Sequence, residues 1–164
     1  MSITEHIAEF IASFDLKTAP AELLPRVREA FLDSFGVMLA GSREQSAQIT
    51  ARWVQSQESA GQCTVIATPD VRTSPANAAL ANGVAAHTLD YDHFGHQSAV
   101  MVPCVLAAGE AKGVSGCALI EAYVVGVEVS TVRLRVSTAH SPRVNPIAYV
   151  TSPRTEPTSS ATQL

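Results

Sequence analysis

Over most of this chain apolar residues recur every three or four positions, the spacing of one face of an α-helix. Ser2 or Thr4 caps a first short helix, whose Ile7, Ala8, Phe10, Ile11 and Phe14 keep that spacing. Pro20 starts a longer helix carrying Leu23, Leu24, Val27, Ala30, Phe31, Phe35, Val37 and Met38, and Gly41 stops it. Gly36 inside that helix predicts a close contact with another helix rather than a turn. A third helix is expected from about Glu44 to Gln57 with Ile49, Trp53 and Val54 inward. Cys63–Ala67, a β-branched run between Gly61 and Pro69, reads as a brief strand or an extended connector.

Ser74 followed by Pro75 combines a cap residue with proline at the first helical position. The helix it opens is rich in alanine, which permits tight approach of neighbours. Ala99–Lys112 reads as a buried helix ended by Gly113. Ser115 caps the next, with Leu119, Ile120, Tyr123, Val124, Val127 and Val129. Together these elements predict an all-α fold, a helical bundle with loops short enough for antiparallel neighbours. From about Thr131 the character changes. Pro142, Pro146, Pro153 and Pro157 sit among serines and threonines without a glycine, and the helical periodicity is lost beyond Ser141. A helical domain over residues 1–135 and an extended or disordered Pro/Ser/Thr-rich tail over 136–164 follow from that shift.

Hydrophobic residues make up 46% of the 164 positions and charged residues only 16%, so part of the apolar surface is expected to pack on something beyond this segment. A net charge of −4, with no basic run, argues against a nucleic-acid partner. The longest apolar segments are too short to span a bilayer, and no signal peptide is evident, which points to a cytoplasmic protein without a membrane partner. Cys63, Cys104 and Cys117 match no metal spacing and lie in apolar contexts, the pattern of buried, reduced thiols.

Chemistry is concentrated in one stretch. His87, Asp90, Asp92, His93 and His96 fall within ten residues, and His87, Asp90, His93 and His96 recur at every third position. A helix running through them would put those four on one face, whereas Gly95 favours a helix end that delivers the last groups on a loop. Imidazole titrates near neutral pH and a carboxylate can set its tautomer, so the cluster suits proton transfer. The same residues offer nitrogen and oxygen ligands to zinc, but no recognised metal motif is present, and no metal is expected. Asp90 and Asp92 capping loop N–H groups would be the bland account of the same residues.

The surrounding motifs carry a family likeness. Asp33–Gly41 (DSFGVMLAG), Ala81-Asn82-Gly83 leading to His87-Thr88-Leu89-Asp90-Tyr91-Asp92, Ala107–Ala111 (AAGEA), Ser115-Gly116 and Ala122–Val129 (AYVVGVEV) stand in the order found in the MmgE/PrpD family. Residues 1–135 resemble its N-terminal helical domain. Members include 2-methylcitrate dehydratase, cis-aconitate decarboxylase and an iminodisuccinate epimerase. The resemblance implies a large all-α domain, a smaller α+β lid domain later in the chain, and a homodimer formed through the helical domain. It also implies proton transfer on a small di- or tricarboxylate with no prosthetic group or other cofactor. Asp90 then corresponds to the active-site aspartate and His96 to the motif histidine, with Asp92, His93 and His87 supporting. This chain departs from the family pattern at His93, where a second aspartate is usual, and at Gln97, where proline is usual. Further catalytic groups of the family lie in segments beyond this chain. The expected function is therefore a lyase of the dehydratase type, incomplete in this chain, or else a non-catalytic helical fragment of such an enzyme.

Overall fold

The structure, a computed structural model, describes residues 2–91 and 96–138. Asp92, His93 and the Pro/Ser/Thr-rich segment from residue 139 onward lie outside the described residues. Among the described residues the fold is all-α apart from one minimal hairpin.

Helix α1 spans Ile3–Ser13 and opens on a full capping box, in which the Ser2 hydroxyl accepts from the Glu5 N–H and the Glu5 carboxylate accepts from the Ser2 N–H. After a 3-10 turn at Leu16–Thr18 comes α2, Leu23–Gly41. Its start lies three residues beyond the proline expected to open it, because Pro20–Glu22 form a separate turn whose Pro20 carbonyl accepts from the Leu23 N–H. α3 is Gln45–Ser56, and α4, Pro75–His87, begins at the expected Ser74 cap. α5 covers Gln97–Lys112 and ends on Gly113 in the left-handed region (φ 61°), and α6 covers Gly116–Thr138. Between α3 and α4, β1 (Cys63–Thr64) pairs antiparallel with β2 (Arg72–Thr73).

α4 is the hub, packing against α2, α3, α5 and both short strands. Its buried residues Ala78, Ala81, Ala85 and Ala86 are small, so neighbouring backbones come close. The tightest approach is at Gly41, where a Cβ would overlap the carbonyl oxygen of Ala85 and stand 2.9 Å from the Thr88 methyl. Gly36, expected at a helix contact, is exposed with open space around it. The glycine that permits close packing in α2 is the one at its end.

The main core joins Leu23, Val27, Ala30 and Met38 of α2 with Ala86 of α4, Ala99 and Val102 of α5, and Tyr123, Val124 and Val127 of α6. Phe31 meets Tyr123 edge-to-face at 5.0 Å. A second cluster holds Ala51 and Val54 of α3 with Val65 and Ala81. Helix α3 buries Ala47, Ala51 and Val54, so Val54 faces inward as expected but Ile49 and Trp53 do not (51% and 48% exposed). The alanine side of α3 allows a closer approach to α4 than a side bearing indole would. The thiols also divide: Cys63 is buried, whereas Cys104 and Cys117 are exposed. Cys104 lies on the outer stripe of α5 with Val100 and Ala108.

Candidate functional site

Two polar clamps fix the position of α4 and α5. Buried Asn82 accepts from the Ile66 N–H through Oδ1 (2.8 Å) and donates through Nδ2 to the Thr64 carbonyl (2.9 Å). Glu110 of α5 accepts from the Thr64 N–H (2.8 Å) and from the Thr64 hydroxyl (2.6 Å). The segment around Thr64 thus ties both helices to one backbone. The Cys63 thiol adds a bond to the Ala107 carbonyl (3.1 Å), and burial, reinforced by the negative charge of Glu110, pushes its pKa up against two backbone hydrogen bonds that lower it.

The candidate site lies where the C-terminus of α4 meets the N-terminus of α5. The helix does not run through the cluster. His87 is the last residue of α4, and Thr88 caps it while its hydroxyl shares a short hydrogen bond with Ser46 of α3. The Asp90 N–H then bonds the His87 carbonyl at 2.9 Å. Asp90 (φ 55°) and His96 (φ 61°) both adopt left-handed backbone, His96 as the residue immediately preceding α5. Such a conformation costs a non-glycine residue about 1 kcal/mol and concentrates at functional sites.

The result is convergence by folding rather than by helical register. The rings of His87 and His96 stand edge-to-face with centroids 4.6 Å apart. One ligating atom from each of His87, Asp90 and His96 lies within 4.8 Å of the others, and all three residues are exposed. An imidazole, a carboxylate and a second imidazole at that separation can exchange a proton with one small molecule or hold one ion. The start of α5 presents its positive dipole end beside them, which favours an anionic ligand.

Lys112 is at the far end of α5, about 24 Å from His96 by helical rise. Arg43 lies in the α2–α3 connection, between Gly41, which packs on Ala85 and Thr88, and Ser46, which bonds Thr88. Asn82 stands in the Ala81-Asn82-Gly83 motif, but nothing along the sequence marks it as a clamp.

Comparison with known proteins bears on this arrangement. A family model described as the MmgE/PrpD N-terminal domain matches residues 5–153, past the point near residue 135 where the resemblance fades to inspection. Cis-aconitate decarboxylase of Homo sapiens is 31% identical over 136 residues, covering 78% of this chain and 28% of that protein. The Mus musculus protein of the same name matches to the same extent. The cis-aconitate decarboxylase-like protein oryM of Aspergillus oryzae is 28% identical over 139 residues, covering 77% of this chain and 29% of its own length. The chain therefore spans less than a third of the curated relatives it matches. With its helical fold and the ordered motifs that converge at the ends of α4 and α5, the chain belongs to the MmgE/PrpD family.

Proposed function

We propose that this chain carries part of the active site of a lyase acting on a small di- or tricarboxylate. His96 is the proton-exchanging group, Asp90 orients it, and His87, Asp92 and His93 support the pair. The observation that carries the reading is the meeting of His87, Asp90 and His96 at the facing ends of α4 and α5. The names of the relatives make decarboxylation of cis-aconitate the first reaction to test. Loss of carbon dioxide leaves an electron pair on the substrate, which must be met by a proton at carbon, and a protonated imidazole of His96 is the donor. In the dehydratase variant the same group removes a proton beside a carboxylate, or protonates the departing hydroxyl. Both routes build negative charge, which needs cations or N–H donors in place. The first turn of α5, which His96 immediately precedes, offers N–H donors for that charge.

We further propose association as a homodimer and a cytoplasmic setting, with residues 1–135 as the domain and 136–164 as a tail. The exposed apolar residues Leu32 (77%), Leu39 (59%) and Trp53 (48%) favour a covering partner. No helix of the described residues is long and apolar enough to cross a membrane. The second reading is a non-catalytic helical fragment, favoured by the short span relative to the relatives. Incubation of the purified chain with cis-aconitate and with 2-methylcitrate, followed by proton NMR, decides between them. Turnover that disappears in His96→Asn supports the lyase and the role of His96; no turnover supports the fragment, and turnover indifferent to that change refutes the role given to His96. Asparagine is the suitable replacement because it tolerates the left-handed backbone of residue 96.

A further inference from the structure

We infer that His87, Asp90 and His96 form a three-ligand site for a borderline divalent metal ion of the zinc class, and that metal binding silences the acid–base role of His96. Zinc takes imidazole nitrogen at about 2.0–2.1 Å and carboxylate oxygen at about 2.0–2.2 Å, which puts neighbouring ligand atoms about 3.3 Å apart in a tetrahedron. The three candidate atoms already lie within 4.8 Å of one another. Side-chain rotation of these three exposed residues can close the difference. Their backbones, by contrast, are tied to the ends of two helices that Asn82 and Glu110 clamp to the Thr64 segment.

The donor set selects the ion. Two imidazoles and one carboxylate suit zinc, cobalt or nickel, whereas magnesium and calcium prefer an all-oxygen shell. The carboxylate neutralises part of the ion's charge. Exposure of all three ligands leaves a fourth position open to solvent. A lone pair of His96 committed to a metal is unavailable for a proton, so occupancy and proton transfer exclude one another. The binding claim stands on geometry alone, and only its inhibitory consequence rests on the proposed reaction.

Titration of the purified chain with Co²⁺, read by visible ligand-field absorption, and displacement with Zn²⁺ test the site without any turnover assay. One equivalent should bind, with affinity falling about tenfold or more in His87→Ala and in Asp90→Asn. His6→Ala, a change at a histidine on α1 whose ring nitrogen meets the Ser2 carbonyl, should leave binding unchanged. Helical circular dichroism of each variant confirms that these surface changes leave the fold intact. Absence of a cobalt band, or binding that survives the combined His87→Ala, Asp90→Asn and His96→Asn changes, would overturn the site. Either result leaves the lyase reading to be judged by turnover alone.

Discussion

Replacing Asn82 with leucine removes one residue's hydrogen bonds while keeping its branched shape. Asn82 is buried at 4% exposure and holds the Ile66 N–H and the Thr64 carbonyl at 2.8 and 2.9 Å. Leucine leaves both backbone groups without that partner, and each unpaired buried group costs about 1–3 kcal/mol. Ile66 and Thr64 are only half-buried, so water recovers part of the loss and the total falls at about 2–4 kcal/mol. For a chain of this size each kcal/mol moves the midpoint of thermal unfolding by about 2–4 °C, so a fall of roughly 5–15 °C is expected. Circular dichroism at 222 nm, a helix band, follows the transition. Asn82→Asp sharpens the test. The introduced carboxyl can still accept from Ile66, but once ionised it faces the Thr64 carbonyl oxygen, so its penalty should grow as pH rises through its titration. A midpoint for Asn82→Leu within ~1 °C of the parent would refute the clamp.

Two further outcomes follow from packing and burial. Gly41→Val should destabilise the chain by at least about 1–3 kcal/mol in urea denaturation, because Ala85 and Thr88 leave no room for a side chain, while Gly36→Ala should be neutral or stabilising in its open surroundings. Thiol labelling of the folded chain should show fast modification at Cys104 and Cys117 and slow modification at Cys63. The folded Cys63 thiol has its pKa raised, so the stability it contributes is intact below the ordinary thiol range and is lost as pH rises through the folded value. Replacing it with serine should lessen that alkaline loss, as measured by urea midpoints between about pH 8 and 10.

Much of the fold was legible because caps are local. Ser2, Ser74 with Pro75, Gly113 and Ser115 act through hydrogen bonds or dihedral angles within one turn, and the helices begin and end near them. Orientation was harder to read. In α3 hydrophobicity favours Ile49 and Trp53, yet the buried stripe is Ala47, Ala51 and Val54, since close packing against an alanine-rich hub rewards small residues over large ones. The partner of Cys63–Thr64 was invisible because Arg72–Thr73 pairs through backbone alone and has no strand-like pattern. At the candidate site the residue types were plain from the sequence, but their meeting was not. Spacing by threes suggested a shared helical face, whereas His87 ends one helix and His96 precedes the next, and the two rings meet because α4 and α5 pack together.

Carbon-detected or proton NMR of the histidine rings while cis-aconitate is added addresses the candidate site most directly. Saturable shifts of both the His87 and His96 resonances, lost in Asp90→Asn, are the predicted result. Rings that do not respond, or a response confined to His6, would contradict the assignment of this helix junction as a carboxylate-binding acid–base site.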